Sequence, residues 1–516
     1  MKKIILLSIL FIISSCVSVK KHNEKLAIPI SVEKLKKDID FTRQKLEQLH
    51  PNLYWYISKE ELNHQFDSLK TNIKKPLKPN EFYQILAPVI ANIKEGHLRL
   101  YPYDKRLSKK EIKHLKNQKG LLNRYNFFID NDRIYVKDNA DNIPNMNVGT
   151  EILAIKDIPI KDLLQKYKPL INSDGDNTTF QKYSLARRWP VFFTAEFGIL
   201  DSVKIEAKYK NEIKSFYILR EKITKEEKEK TKQENKKLTK SETGKTKDYN
   251  ILSKSFNRDL QFPTKDSTIA YMKIKTFSGT FSRKFYKQRF ELLKKSPAKY
   301  LILDVRDNLG GSLSEINNLY SYLVSEEFKF INDMEVNSRS SMFHANYFTT
   351  IPTLAQPIAA VTYPIYLLGT ALSVKKRDNQ FYLKNNGIFS IKNPKKNHFA
   401  GKIYVLINGS SFSASSIIAA KLKGDEKAFL VGEETGGAND GTVAGRYSTE
   451  KLPNSKLRLP IGLMLIQPNI QFTNTKKGVI PDQEIIATLQ EVLKKKDIQL
   501  DWIMEEIKNN SAPLKP

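Results

Sequence analysis

Apolar positions along this chain change their period several times, and each change marks a boundary. From Ser31 onward Val32, Leu35, Ile39, Leu46 and Leu49 recur at threes, fours and sevens, and Phe66, Leu69 and Ile73 continue the theme. That spacing collects them on one face of a helix. Pro76 and Pro79 interrupt the pattern before Glu81–Leu86 starts another helical turn, so a helical N-terminal unit is expected over residues 31–117. Over 118–220 the runs shorten to Tyr125–Ile129, Arg133–Val136, Glu151–Ile155, Ser202–Glu206 and Ser215–Leu219, parted by Asn, Asp, Gly and Pro, which predicts a β-rich unit. The stretch from Glu221 to Asp248 is almost wholly Lys, Glu, Thr, Gln and Asn and can bury no face; with its margins it reads as a charged linker over 221–262. Over 263–492 the strands Thr268–Ile274, the run into Asp304, Pro364–Leu368 and the run into Asn408 alternate with helical stretches Phe281–Leu293 and Leu313–Val324. Such alternation predicts an α/β domain with a largely parallel sheet. Residues 493–516 form a tail with one short amphipathic helix.

Two strand ends in the α/β region carry chemistry. Gly401–Asn408 delivers the chain into Gly409-Ser-Ser-Phe-Ser413-Ala-Ser-Ser416 and then at once into Ile417–Leu422. A strand, a tight small-residue turn and a helix start place the Ser413 hydroxyl at the positive end of a helix dipole, where developing negative charge is stabilised. About a hundred residues earlier the run into Asp304-Val-Arg306-Asp-Asn308-Leu-Gly310-Gly311 ends in paired glycines, which let backbone N–H groups approach a reacting oxygen without a Cβ between them.

These residues resemble known motifs. Asp304-Val-Arg306-Asp-Asn308-Leu-Gly310-Gly311 resembles the Asp-Leu-Arg-x-Asn-x-Gly-Gly motif of the C-terminal processing, or tail-specific, serine peptidases. Ser413–Ser416 followed by Val431-Gly-Glu-Glu-Thr435-Gly436-Gly437 resembles their nucleophile segment, and Gly478-Val-Ile-Pro-Asp482 their closing segment. The resemblance implies a Clp protease/crotonase-like catalytic domain. Asn147-Val-Gly149-Thr-Glu151–Pro159 is similar to a PDZ segment, which implies that 118–220 is a PDZ-like domain able to add a peptide to a sheet edge.

Charge and the N-terminus set the compartment. Met1-Lys-Lys precedes an apolar run from Ile4 to Ile13, too short to span a bilayer, and then Ser14-Ser15-Cys16. Cys16 is the single cysteine, which excludes an intrachain disulfide. Its position resembles the lipobox of a bacterial lipoprotein, implying a signal peptide over 1–16, a lipidated Cys16, a tether over 17–30 and a protein held on a membrane face of the cell envelope, periplasmic or outer-membrane. The net charge of +30 comes from lysines dispersed along the chain, without glycine-aromatic RNA motifs; attraction to anionic headgroups is expected and nucleic-acid binding is not.

A serine hydroxyl needs a base. In the tail-specific branch that base is a lysine on the Thr-x-Gly-Lys segment, a position occupied here by Ala438. Lys421 and Lys423, on the helix after Ser413, are expected to face water. In the tricorn-type branch a histidine from the N-terminal region serves, and Glu95-Gly96-His97 resembles its Asp-Gly-His segment, so the resemblance implies His97 as general base. His50, beside an N-terminal helix, reads as packing. The acid that orients the histidine precedes the closing segment in tricorn-type sequences; Thr475-Lys-Lys-Gly478 has none, which leaves Glu434, Asp440 and Glu95 open. The implied chemistry is acyl transfer at a peptide carbonyl, with backbone N–H groups of Gly310, Gly311 and Ala414 as oxyanion donors. It needs no cofactor, and no metal-ligand spacing is visible in the sequence. The partner is a peptide or protein substrate; a silent relative that only binds peptide, an apolar ligand or a partner protein would use the same surface.

Overall fold

The computed structural model describes residues 18–139, 143–229, 248–250, 255–279, 281–344, 355–384, 387, 390–472 and 475–511. The expected signal peptide with Cys16, and residues 230–247 and 251–254 of the expected linker, lie outside the described residues.

The N-terminal helices form as their apolar spacing dictates. Helix Val32–Leu49 buries Leu35, Ile39, Thr42, Leu46 and Leu49 on one face. Pro79 opens helix Pro79–Ala91 at a position where the missing N–H costs nothing, and Glu81 reaches back to the Lys78 N–H at 2.8 Å. Asp38, fully buried on the first of these helices, accepts from the backbone N–H groups of Asn454 (2.9 Å) and Ser455 (2.7 Å). It thereby ties the helical unit to a turn more than four hundred residues later. That turn joins the long antiparallel pair Thr442–Lys451 and Arg458–Ile466, whose Leu459, Ile461 and Leu463 pack into the same core as the N-terminal helices.

Residues 125–219 hold a sheet in the order Tyr125–Asp130, Arg133–Asn139, Glu151–Ile155, Ser202–Tyr209 and Glu212–Leu219, with Tyr125–Asp130 at the edge. The expectation of strands alone is corrected here: helices Ile160–Tyr167 and Thr179–Phe197 lie within this region. The second was hidden by its composition, because Pro190 inside it is read as a breaker. Tertiary burial of Phe180, Leu185, Trp189 and Phe193 overrides that local penalty.

The α/β region is built on a six-stranded sheet in the order Gln483–Glu484, Phe429–Gly432, Lys402–Ile407, Tyr300–Asp304, Ile269–Ile274 and Arg258–Gln261. All neighbours are parallel except the last pair. Leu301, Ile302, Leu303, Val405, Leu406 and Ile407 are all fully buried, as strands covered on both faces require. Helix Ala414–Gly424 packs on one face, and Ile503 and Ile507 of the C-terminal helix Ile498–Ser511 pack on the other. Pro364–Leu368, expected as a strand, lies inside helix Gln356–Leu372. A short apolar run has no period of its own to tell the two apart.

Candidate active site

The two crossovers expected to carry chemistry are braced against each other. Parallel pairing sets Asp304 beside Leu406, so the two strands end at the same level. Beyond them Asp307 N–H donates to Asn408 Oδ1 (3.0 Å), Asn408 Nδ2 donates to Asp307 Oδ1 (3.1 Å), and Phe412 N–H donates to the Asn308 carbonyl (3.0 Å). Asp304 is a positioning group: it accepts from Tyr271 Oη at 2.6 Å and from Arg306, which also bonds Asp497. Burial alone would raise its pKa, but the cations of Lys273 and Arg306 hold its carboxyl well below the usual range.

Ser413 sits at the N-cap of helix Ala414–Gly424 with φ 57° and ψ −119°, and its side chain does not cap the helix. An L-residue rarely rests there, and the strain turns the hydroxyl out of the strand-to-helix turn. Gly310 makes the close approach possible: a Cβ on it would lie 2.7 Å from the Phe412 carbonyl oxygen and 2.8 Å from both Ala414 N and Ser413 Cβ. Its own N–H, however, donates to Asn308 Oδ1 at 2.9 Å. Of the three expected oxyanion donors, Gly310 is therefore already engaged, while Gly311 and Ala414 keep N–H groups with no partner among the described residues.

His97 arrives from the N-terminal unit and stacks on Phe412, the residue before Ser413, with ring centroids 4.6 Å apart and planes at 24°. Phe180 stacks on Phe412 in turn, at 4.3 Å. No hydrogen bond joins Ser413 Oγ to the imidazole. Nδ1 of His97 lies 2.8 Å from Thr442 Oγ1, which is 3.0 Å from Glu95 Oε1, and Nε2 has no partner among the described residues. Glu95 Oε1 is also 3.8 Å from Nδ1 itself.

Sequence spacing missed two members of this cluster. Thr442 follows Asp440-Gly441 without any motif of its own. Asp174, fully buried, accepts from Gly96 N–H at 2.6 Å and from Ala438 N–H at 3.1 Å. The backbone of Ala438 thus donates to this carboxylate. The only legible hint was the Asn172-Ser-Asp-Gly-Asp-Asn177 turn cluster. Of the three acids left open, Glu95 is beside the imidazole. Asp440 accepts from Tyr56 Oη at 3.2 Å, and Glu434 from Asn177 Nδ2 at 3.1 Å and Gly478 N–H at 2.6 Å.

Burial dominates the electrostatics. It pushes Glu95 up to about 7, against hydrogen bonds from Thr442 and Val443, and together with the charge of Glu95 it raises Asp174 well above the carboxylate range. It lowers His97 below its ordinary value, opposed by Asp174. One donor atom each from Glu95, His97 and Asp174 lies within 4.8 Å of the others, a grouping able to hold a metal ion that the spacing in sequence did not reveal. Lys421, expected to face water, is buried and bonds Asp425 (2.8 Å) and the Asn469 carbonyl (2.7 Å), because its helix packs both faces; Lys423 pairs with Asp482 at 2.8 Å. His50 is buried at the end of its helix, where burial pushes its pKa down to about 4.

Residues 268–485 match peptidase family S41. This stretch is a serine peptidase domain, and its α/β sheet has the Clp protease/crotonase-like architecture. No curated protein matches the sequence. Among solved structures, mature CPAF is similar at 14% identity with a TM-score of 0.62, over 94% of this chain and 99% of that one. Mature CPAF complexed with lactacystin gives 15% identity and 0.62, over 93% and 99%. These identities bear on the fold. The photosystem II D1 C-terminal processing protease gives 13% and 0.41, over 89% and 96%, too distant a superposition to argue from.

Proposed function

We propose that this peptidase is an endopeptidase of exported proteins or peptides, of the Ser/His kind, with Ser413 as nucleophile and His97 as general base. The observation that carries it is the His97 ring stacked on the residue that precedes Ser413. The relay Nδ1–H to Thr442 Oγ1, and Thr442 Oγ1–H to Glu95 Oε1, leaves the Nε2 lone pair to take a proton. Nε2 removes the Ser413 Oγ proton as Oγ attacks the peptide carbonyl carbon. The carbonyl oxygen takes the negative charge against the N–H groups of Gly311 and Ala414, each donor contributing about 3 kcal/mol. The C–N bond then breaks as Nε2 returns its proton to the leaving amine; water, deprotonated by the same nitrogen, adds to the acyl carbon, and the C–Oγ bond breaks as Nε2 gives that proton to Ser413 Oγ.

A cleft of about 590 Å³ lies between the edge strand Tyr125–Asp130 and helix Thr179–Phe197, lined by Lys182, Arg187 and, from the two catalytic crossovers, Asp307 and Ser410. We assign it as the substrate path, an extended peptide lying along the free strand edge of the PDZ-like unit. The signal-like start and Cys16 support a lipid-anchored envelope protein. The missing Ser413 to His97 hydrogen bond favours the silent-binder alternative, and reaction with a fluorophosphonate decides between them. Covalent labelling that is lost in both Ser413→Ala and His97→Ala, with turnover lower by about 10⁴-fold or more, supports hydrolysis. Folded wild-type protein that never labels sinks it.

A further inference from the structure

Helix Gln356–Leu372 has no charged residue in its 17 positions, and only Ala359 and Thr370 are buried. Ile358, Val361, Ile365, Leu368 and Leu372 are 60–78% exposed. Their spacing of three, four, three and four sets them on one continuous outer stripe. Scattered exposed apolar side chains are ordinary, but five aligned on one helix mark a surface built to be covered. No helix among the described residues is long and apolar enough to cross a membrane.

We infer that helix Gln356–Leu372 docks this protein onto an anionic lipid surface, lying in the plane of the interface with its apolar stripe in the acyl boundary. The chain leaves the helix directly into strand Val374–Arg377, where Lys375, Lys376 and Arg377 are all exposed, followed by exposed Lys384. Arg377 is engaged by Asp333 at 3.3 Å, whereas Lys375 and Lys376 have no carboxylate partner among the described residues. Basic side chains at the edge of an apolar helix match anionic headgroups, each contributing through a field that salt screens. A second copy of the chain fits worse. It would bring two chains of net charge +30 together, and the helix lacks the flanking charges that pair two helices in register. The placement has a consequence for the active site. The Arg446 guanidinium lies 5.7 Å over the Tyr366 ring, on the same strand, Thr442–Lys451, that sets Thr442 beside His97. Docking would hold the catalytic cluster within a few residues' length of the bilayer and favour polypeptide presented at the membrane.

The test is co-sedimentation of the chain from residue 17 onward, free of the expected signal segment and of Cys16 so that neither plays a part, with phosphatidylglycerol/phosphatidylcholine vesicles and with pure phosphatidylcholine vesicles. The Ile365→Asp/Leu368→Asp double variant should lose about 10-fold or more of its partitioning into the anionic vesicles. Lys375→Glu/Lys376→Glu should lose the preference for anionic over neutral vesicles and the salt dependence. Thermal unfolding of both variants should match the parent, since the altered side chains face outward. Three results would each overturn the proposal. Unchanged partitioning of the helix variant is the first. A dimer of the parent in sedimentation velocity that the helix variant abolishes would name a second copy as the occupant. A large loss of thermal stability in the helix variant would mean that the chain's own residues 345–354 cover the stripe. Hydrolysis enters none of these readouts.

Discussion

At the scale of single residues, the imidazole of His97 is defined by what holds its far side. Thr442 Oγ1 is the one group among the described residues bonded to Nδ1, so it fixes the tautomer that leaves Nε2 basic. Thr442→Val should lower kcat by roughly 10- to 100-fold with little change in KM, and Thr442→Ser should restore most of it. A merely structural role would not be rescued by the smaller hydroxyl. The pH profile gives a second check. Burial lowers His97, opposed by the Asp174 carboxylate, so the acid limb of kcat/KM should fall below the ordinary histidine value of about 6.5. The residues legible in sequence, Ser413 and His97, are those whose neighbours in the chain carry their own geometry: a strand-turn-helix for one, a Glu-Gly-His turn for the other. Asp174 and Thr442 have no such local signature, because their role exists only where Gly96, Ala438 and His97 meet.

At the scale of elements, the close approach of the two crossovers rests on glycine. Gly310 has φ +99° and its missing Cβ would strike backbone atoms of Phe412 and Ala414 at 2.7 and 2.8 Å. Backbone cannot yield as a side-chain tip can, so Gly310→Ala should cost roughly 2 kcal/mol or more in denaturant unfolding and depress turnover beyond that loss, since it displaces the Ala414 donor. Elements with a clean apolar period were legible, as in helix Val32–Leu49 and strand Glu151–Ile155. Helices Thr179–Phe197 and Gln356–Leu372 were not. Each contains a proline, at 190 and 364, and one is so evenly apolar that no period shows. Such helices are decided by what they pack against or leave bare, not by propensity.

At the scale of the whole molecule, the helical unit, the hairpin and the catalytic sheet converge on a buried acidic centre that the fold must tolerate. Glu95 is 2% exposed and burial pushes its pKa up to about 7. A folded-state pKa above the unfolded one means that the native state holds the proton more tightly. Its contribution to stability is therefore fully present below the unfolded value near 4.5 and is lost as pH rises through about 7. Glu95→Gln should gain stability relative to the parent across that window, by roughly 3 kcal/mol when fully titrated. Urea unfolding at pH 5 and pH 8 measures it, and an equal effect at both pH values would contradict the burial argument. The sequence by itself determined the buried parallel strands, the turn that presents Ser413 and the alanine at position 438, because each is written in neighbouring residues. Only the tertiary structure decided which acids stand by His97 and that Gly310 spends its N–H on Asn308. It alone also decided which helix face stays bare. Contacts such as Gly96 to Asp174 or His97 to Thr442 span 78 and 345 positions, and no local period or propensity reaches across such distances.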